Sequence, residues 1–462
     1  MTVMAVLGSS RPSHESSPVY RAFFLTELAA ELALFAAVGF FIFAIDDLLV
    51  DALYFLRAPW RREPALPREL RPTGWIAVFI PCWNEAGVIA QMLRSTLSRF
   101  DHPDYRLFVG YYRNDPATER AIFSVEDERV QPVLVDADGP TTKAHCLNHI
   151  HSALVDHERR INRPAKAVVL HDAEDLVHPL ELRLFDRLVE QAGLVQLPVI
   201  PLLDKESPWV AGHYADEFAA AHQRDLLVRQ EIGAAIPSAG VGCAIERVAL
   251  SRIAARRDGE PFGGDSMTED YEIGLRLGAI GERTIFVRVH DGSSIVATQS
   301  HFPATVGAAV RQKARWVGGI AFDGWDQLGW RGGIGERWMR LRDRRAPLAA
   351  LLTASGYCAA FLWAEISLAA SLGAPVSMPV SSALGWLMKA NAMLLIWRLA
   401  MRARFTGLAY GWREGLVSMP RMFVGNVIAT LAAHRALLTH EKGGPRTWEK
   451  TDHVFPTELS NS

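Results

Sequence analysis

The residues most able to carry chemistry in this sequence are carboxylates that follow short apolar segments. The densest group is Asp172, Glu174 and Asp175, three acids within four positions directly after an apolar run at 167–170. Three such charges repel one another unless a cation lies among them. Hard divalent cations prefer carboxylate and phosphate oxygens. The pattern therefore predicts a site for Mg²⁺ or Mn²⁺ with these three acids as ligands, and it does not decide which of Glu174 and Asp175 coordinates.

Three further polar clusters also follow apolar segments or open a helical pattern. They are Pro81-Cys-Trp-Asn-Glu85, Asn114-Asp115-Pro116 and Thr268-Glu-Asp270. Each has a purely structural interpretation, because Asn, Asp and Thr are common in turns and helix caps, and acids are favoured near the positive end of a helix. Taken singly, each cluster is as compatible with a cap as with a binding site.

Taken together, acids in separate loops suit one definite chemistry. A metal held by carboxylates neutralises a diphosphate leaving group, and a separate carboxylate takes the proton from an attacking sugar hydroxyl. That division of labour is typical of glycosyl transfer. Glycoside hydrolysis instead needs two carboxyl groups flanking the bond and no metal.

The surrounding segments predict how these clusters meet. Strands are expected at 75–80, 105–112, 130–135 and 167–170, and helices at 86–100 and 143–158. Alternating strands and helices predict an α/β domain with a mostly parallel sheet and helices on both faces. Ligands bind such sheets past the carboxyl ends of the strands, and the polar clusters fall at those ends.

Bulk composition excludes some function classes. The 462 residues carry a net charge of −2, so no global positive charge indicates a nucleic-acid partner. Four dispersed cysteines do not form a metal ribbon or a redox pair. A pair of histidines four residues apart, His145 and His149, could begin a zinc site, but no third ligand follows at a suitable spacing.

Apolar residues concentrate near the N-terminus and in the last third of the chain. Spans long enough for a bilayer are predicted at 23–45, 347–372 and 380–399, with a buried core helix as the alternative for the first. Arginines cluster after the first span, before the second and after the third. Because positive residues favour cytoplasmic flanks, all three clusters predict a cytoplasmic middle domain. The mixed segment 415–438 is predicted to be an amphipathic interface helix, with a fourth span as the alternative.

These patterns give a domain plan. Residues 1–22 form a leader that we expect to be disordered, 23–56 the first transmembrane helix and its exit, and 57–346 the cytoplasmic catalytic domain. Residues 347–404 form a transmembrane hairpin, and 405–462 the interface helix and a cytoplasmic tail. The predicted location is the inner membrane of a bacterium.

The motifs occur in an order that resembles glycosyltransferase family 2 enzymes of the GT-A fold. After the clusters above comes Gln312-Lys-Ala-Arg315-Trp316, which resembles the Gln-x-x-Arg-Trp motif of membrane polysaccharide synthases such as cellulose synthase. The chain is also similar over nearly its whole length to the bacterial phage adsorption protein B family. That similarity includes Pro237-Ser-Ala-Gly-Val-Gly242 and the tail Trp448-Glu-Lys-Thr-Asp-His-Val-Phe-Pro456.

The resemblance implies donor-binding residues. Glu85 and Asp115 would hold the uridine of a UDP-sugar, and Lys143 would meet its diphosphate. Asp172 stands at the start of the family's metal motif, where Glu174 replaces the usual second Asp. Relatives often carry a further C-terminal domain that senses cyclic di-GMP, and we expect no such sensing within these 462 residues.

The resemblance also implies catalytic and acceptor residues. Asp270, beside Glu269, would be the general base. Gly240 and Gly242 would line the acceptor sugar. The acceptor end would be formed, and the diphosphate braced, by Gln312, Arg315 and Trp316.

The implied function is a metal-dependent, inverting transferase that extends a cell-surface polysaccharide. Its partners would be a nucleotide-sugar, a glycan acceptor, the lipid bilayer and an outer-membrane export partner, with no nucleic acid. Two alternatives stay open. One is transfer of a single sugar to a lipid phosphate carrier, and the other is a non-catalytic scaffold or export component.

Overall fold

The computed structural model describes residues 18–61, 66, 70–264, 266–292, 294–374, 381–442, 448 and 453–456. Parts of the predicted leader, of the linker at 373–379 and of the tail therefore lie outside the described residues. The chain forms two compact units. One contains 1–47 and 348–398, and the other contains 48–347 and 399–462. The larger unit thus includes the segment 399–462 as well as the predicted catalytic domain.

A seven-stranded sheet organises the larger unit, in the order β3-β2-β1-β4-β7-β5-β8. All neighbouring pairs are parallel except those of β7, which is antiparallel to β4 and β5. The eleven strands among the described residues are β1 Ile76–Pro81, β2 Tyr105–Tyr112, β3 Val130–Val135, β4 Ala167–Leu170, β5 Leu194–Gln196, β6 Val199–Pro201, β7 Cys243–Glu246, β8 Thr284–Phe286, β9 His290–Asp291, β10 Ser294–Ile295 and β11 Thr298–Ser300.

Fifteen α-helices occur among the described residues, and helices of the larger unit cover both faces of this sheet. Their bounds are α1 Pro18–Arg57, α2 Ile89–Arg99, α3 Pro116–Phe123, α4 Lys143–Ile161, α5 Glu181–Leu188, α6 Val210–Ala220, α7 Leu226–Glu231, α8 Arg247–Ala254, α9 Glu269–Ala279, α10 Val306–Val317, α11 Gly324–Leu328, α12 Ile334–Arg344, α13 Ala346–Ser371, α14 Ser382–Tyr410 and α15 Trp412–Lys442. Two π-helical segments, Ala221–Asp225 and Gly318–Asp323, follow α6 and α10.

Strand β1 shows that the sheet is buried on both faces. It is an unbroken apolar run, as expected for a strand covered by helices on both faces. Ile76, Val78 and Ile80 belong to one hydrophobic core, and Ala77 and Phe79 belong to the other. The prediction of a mostly parallel sheet between two helical layers is confirmed.

The smaller unit is helical. Parts of α1, α13 and α14 pack closely, and a Cβ on Gly39 would overlap Leu352. Asn391 donates a hydrogen bond to the carbonyl of Ala37 at 2.8 Å. Small residues and amide donors of this kind are common where helices meet in membranes.

Three described helices are long and apolar enough to cross a bilayer: Phe24–Trp60, Ala346–Ser371 and Trp412–Glu441. The first two match predicted spans. The third contains the segment for which an interface position was predicted, whereas α14, predicted as a span, does not reach the same apolarity. Which of these helices crosses a membrane stays a prediction.

Helix α15 packs on α10 and α6 of the larger unit. Its Arg421 is buried and lies 2.8 Å from Asp216 of α6 and 2.5 Å from Glu414. Arg402 of α14 reaches the other oxygen of Asp216 at 2.8 Å. A buried carboxylate is costly unless it is paired, so these ion pairs join α15 to α6. Packing of α15 on α10 places it beside the helix that carries Gln312, Arg315 and Trp316.

Candidate active site

A cavity of about 460 Å³ opens at the carboxyl ends of the central strands. Most of the predicted site residues line it together, although they come from five segments of the chain: Glu85, Lys143, Asp172, Glu174, Asp175, Glu269, Asp270, Gln312, Arg315 and Trp316. Three predicted residues, Asp115, Gly240 and Gly242, do not line the cavity. Ala239 and Val241, the neighbours of the two glycines, line it instead.

Lys143 stands at the centre of the acidic side of the cavity. It begins α4, where Thr142 caps the helix. Its Nζ lies 2.6 Å from Asp172 Oδ1 and 4.0 Å from Glu269 Oε1. Burial alone would lower the pKa of Lys143, but the carboxylates of Asp172, Glu269 and Asp270 raise it well above the ordinary value. The ammonium is therefore charged and joins the two acidic clusters.

The three acids after β4 differ in their surroundings. Asp175 is buried, and its Oδ2 accepts hydrogen bonds from the amide of Asp172 at 3.0 Å and from His171 Nδ1 at 2.9 Å. The other nitrogen of His171 bonds Glu181 at 2.7 Å. Burial would lower the pKa of His171, but Glu181 and Asp175 raise it to about 10. Asp175 therefore serves as a partner of a buried imidazolium.

The residues present fit a divalent cation only with help from a ligand. No cluster of three or more His, Cys, Asp or Glu side chains suited to a metal occurs among the described residues, so the predicted three-acid site is not assembled by the protein alone. Asp172 and Glu174 remain. Glu174 is buried, its Oε2 accepts no hydrogen bond from a described residue, and burial raises its pKa to about 8 despite His453. One or two carboxylates completed by phosphate oxygens is the usual Mg²⁺ arrangement in nucleotide sites.

The second acidic cluster opens α9. Glu269 and Asp270 occupy its first turn, after Thr268. Burial, with the neighbouring Asp270, raises the pKa of Glu269 to about 7, and burial also raises that of Asp270. Gly240 lies against this pair with φ of +81°, and a Cβ there would overlap the carboxylate of Asp270. The glycine is thus required for Asp270 to occupy its position.

Asp115 behaves as a cap in this structure. Its carboxylate accepts hydrogen bonds from the amide of Thr118 in α3 at 3.2 Å and from the amide of Asn84 at 2.5 Å. Asn84 has a φ of 57°, a conformation that Asn tolerates better than most residues. Asp115 therefore shapes the turn that presents Glu85, and it does not line the cavity.

The far end of the cavity is formed by α10 and an aromatic cluster. Thr305 caps α10, and Gln312, Arg315 and Trp316 of that helix line the cavity. Oε1 of Gln312 is buried and accepts no hydrogen bond from a described residue. A buried amide oxygen without a partner is costly, so this atom is suited to receive a hydrogen bond from a bound molecule.

The described part of the tail contributes residues that sequence reasoning did not assign to the site. Trp448, His453 and Val454 line the cavity. His453 Nδ1 lies 3.0 Å from Glu85 Oε1 and 3.3 Å from Glu174 Oε2. Burial would lower its pKa, but these two acids raise it to about 9. In the sequence, the resemblance of this tail to the phage adsorption family was the signal that could have pointed to these residues. That resemblance did not indicate a chemical role for any of them.

The alternative zinc site is not supported. The rings of His145 and His149 lie 4.5 Å apart, and His149 Nδ1 bonds the carbonyl of His145. Burial and the neighbouring His149 lower the pKa of His145. Within the described residues no third ligand joins them.

The chain is similar to known proteins in sequence and in fold. Residues 72–319 match the model of "Glycosyltransferase like family 2". The chain is 35% identical over 470 residues to bacteriophage adsorption protein B of Escherichia coli K12, and equally to bacteriophage N4 adsorption protein B of Escherichia coli O157:H7. Each alignment covers 92% of this chain and 62% of the relative, so the chain spans about three fifths of those proteins.

Among solved structures, the chain is similar to a mannosyltransferase from Pyrobaculum calidifontis in complex with GDP-mannose and Mn²⁺. The TM-score is 0.52 at 17% identity, and the match covers 90% of this chain and 99% of that one. At this identity the likeness concerns the fold, and it confirms the predicted GT-A-like α/β architecture with flanking apolar helices. On the family match over 72–319, which supplies most of the cavity lining, this chain belongs to glycosyltransferase family 2.

Proposed function

We propose that this protein is a metal-dependent, inverting glycosyltransferase of a bacterial inner membrane that adds a sugar from a nucleotide-sugar, a UDP-sugar by the sequence resemblance, to a growing glycan. The observation that carries the proposal is the distribution of charge in one cavity. Two acidic groups, Asp172 with Glu174 and Glu269 with Asp270, flank the single ammonium of Lys143. That arrangement suits a diphosphate on one side and a hydroxyl nucleophile on the other.

Each residue then has a distinct role. Glu85 holds the nucleoside, while Asp115 acts through the turn it caps. Lys143 and Arg315 bind diphosphate oxygens. Asp270 accepts the proton of the acceptor hydroxyl as its oxygen attacks the anomeric carbon, and the raised pKa of the Glu269–Asp270 pair suits a base that works near neutral pH.

Asp172 and Glu174 would hold a divalent cation, which when bound neutralises charge on the diphosphate leaving group. An excess of acidic side chains supports this assignment, because two cations, Lys143 and His453, face five acids. These acids are Glu85, Asp172, Glu174, Glu269 and Asp270. The mannosyltransferase of similar fold was solved with Mn²⁺. Mg²⁺ and Mn²⁺ are both candidates.

The membrane assignment rests on the apolar helices and on the arginine clusters that flank them. Arginines concentrate on cytoplasmic flanks, so the cavity would face the cytoplasm, where nucleotide-sugars are available. An export partner at the outer membrane would then be needed if the glycan leaves the cell.

A non-catalytic scaffold is the alternative, since the similar curated proteins are named for phage adsorption. The deciding experiment follows nucleoside diphosphate release by the purified protein in detergent, with Mg²⁺ or Mn²⁺ and a panel of UDP- and GDP-sugars. We expect one donor to be turned over by the native protein, and an Asp270→Asn variant to bind that donor without turnover. Failure of every donor to bind would contradict the proposal and favour the scaffold.

A further inference from the structure

The end of the cavity opposite Lys143 has its own construction. Strands β6 and β11 pair in parallel beside the main sheet. The loops after them, 202–209 and 301–305, meet α6 and α10 around this end. If the nucleotide-sugar occupies the Lys143 side, as proposed above, the acceptor enters here.

Three aromatic side chains form one wall of this end. Phe218 of α6, Phe302 and Trp316 of α10 line the cavity and are each partly exposed to it. The Phe218 and Phe302 rings lie 4.9 Å apart. Buried Tyr214 holds them from behind, 4.9 Å from Phe302 and 6.0 Å from Trp316. Rings fixed this way offer a large, rigid, uncharged surface with little loss of side-chain entropy on binding.

The charged residues that line the opposite rim are acidic. Asp204 and exposed Glu206 line the cavity here, whereas Lys205 between them is exposed and is not part of the lining. Asp204 Oδ1 accepts the amide of Glu206 at 2.8 Å, which fixes the turn that presents both acids. His301 lies beside them, and burial lowers its pKa despite Asp204, so its ring is neutral.

Among the described residues that line the cavity, the cations are Lys143, Arg315 and the His453 imidazolium. His453 pairs with Glu85 and Glu174. Lys143 forms an ion pair with Asp172, and Arg315 is assigned above to the donor diphosphate. With these cations engaged on the donor side, a phosphate or carboxylate on the acceptor would face Asp204 and Glu206, and such like-charge juxtaposition strongly suppresses binding.

We infer that the acceptor is a glycan without phosphate or carboxylate groups, stacked on Phe302 and Trp316, and that a polyprenyl phosphate is not the acceptor. This inference rests on the proposed function. In the transfer, the hydroxyl oxygen of the terminal sugar bonds to the anomeric carbon of the donor sugar. The bond from that carbon to the diphosphate breaks, the hydroxyl proton passes to Asp270, and the nucleoside diphosphate leaves.

The test uses the full chain in detergent with the donor that it turns over. Three acceptors are compared at matched concentration: an uncharged oligosaccharide, a uronic-acid oligosaccharide of equal length and a short-chain polyprenyl phosphate. We expect transfer to the uncharged glycan to exceed transfer to either anion by about tenfold or more. Preferential transfer to polyprenyl phosphate, with the donor bound normally, would overturn the inference and leave the proposed function intact. If no donor binds, the proposed function fails and this inference falls with it.

Variants at Glu206 and Phe302 test the charge and the aromatic surface of the acceptor end. Glu206→Lys on the exposed rim should raise kcat/KM for the uronic-acid acceptor about tenfold and leave donor KM unchanged. Glu126→Lys, on an exposed surface that does not line the cavity, is the matched control. Phe302→Leu should raise KM for the uncharged acceptor without altering donor binding. An unchanged acceptor ratio in Glu206→Lys together with an unchanged acceptor KM in Phe302→Leu would refute the assignment of this end.

Discussion

Lys143 Nζ lies 2.6 Å from Asp172 Oδ1, so the cation at the centre of the cavity is paired with the carboxylate that is proposed to hold the metal. Replacing it with methionine leaves Asp172, Glu269 and Asp270 close together without a balancing charge, and removes a diphosphate contact. We expect Lys143→Met to raise donor KM at least tenfold, about 1.4 kcal/mol of lost binding. Steady-state kinetics with Lys143→Arg as the conservative comparison would measure this, and an unchanged KM in Lys143→Met would contradict the role.

The acid pair predicts a pH dependence. Burial, with Asp270 next to it, raises the pKa of Glu269 to about 7, and that of Asp270 is raised too. A protonated base cannot accept the acceptor proton, so the rate should rise as pH increases through the titration of the pair. Two interacting acids titrate together. Glu269→Gln, which removes one of the two like charges, should therefore shift the profile of kcat to lower pH, and a profile that stays in place would argue against coupling.

The contact of His453 with Glu85 and Glu174 predicts that the tail takes part in donor binding. An imidazolium at this place offsets two acids where the nucleotide's own negative charge must enter. We expect His453→Ala to raise donor KM several-fold and to change kcat little. His149→Ala is the control, because its ring contacts His145 and does not line the cavity. Equal kinetics for the two variants would exclude the tail from the site.

Gly240 and Gly259 form a matched pair of glycines with positive φ, at +81° and +94°. Alanine at either position bears the backbone cost of the left-handed region, about 1–2 kcal/mol. A Cβ at Gly259 meets open space, whereas one at Gly240 overlaps the carboxylate of Asp270. Gly240→Ala should therefore lower kcat far more than Gly259→Ala, at similar losses of thermal stability. Equal kcat values in the two variants would mean that the position of Asp270 is not critical.

The buried ionic chain from Asp175 through His171 to Glu181 predicts a pH-dependent stability. The pKa of His171 is raised to about 10 in the folded protein, against an ordinary 6.5. Its stabilising contribution is therefore fully present below pH 6.5 and is lost as pH rises through about 10. His171→Gln removes the cation between two buried acids and should cost about 3–5 kcal/mol. Thermal unfolding in detergent at pH 7 would measure the loss, with His149→Gln as a control expected near native stability.

Much of the fold follows from local sequence. The strands at 105–112, 130–135 and 167–170 were predicted at their observed bounds, because each is a short β-branched or aromatic run between turn signals. The meeting of acids at the sheet edge was also predictable, since parallel strands present their carboxyl ends on one side.

Pairing over long sequence distances was not predictable. The sequence pattern suggests Asp175 as a metal ligand, whereas in the structure its carboxylate bonds His171, which in turn bonds Glu181. His453 contacts Glu85 across 368 positions, and no periodicity in the sequence encodes such a contact. The sequence Asp115-Pro116 is compatible with either a helix cap or a binding site. Only the hydrogen bonds that Asp115 accepts from the amides of Asn84 and Thr118 identify it as a cap.

The ion pairs from Asp216 to Arg402 and Arg421 have a practical consequence for expressing the catalytic unit by itself. The catalytic unit is discontinuous in sequence, so recombinant expression of 57–346 alone would not deliver it. Such a fragment would present an uncompensated Asp216 and the bare flank of α10, and it would lack the tail wall of the nucleotide pocket. A version of the larger unit by itself would have to be spliced, joining 48–347 to 399–462 through a designed connection in place of 348–398, and it would keep the apolar helix α15.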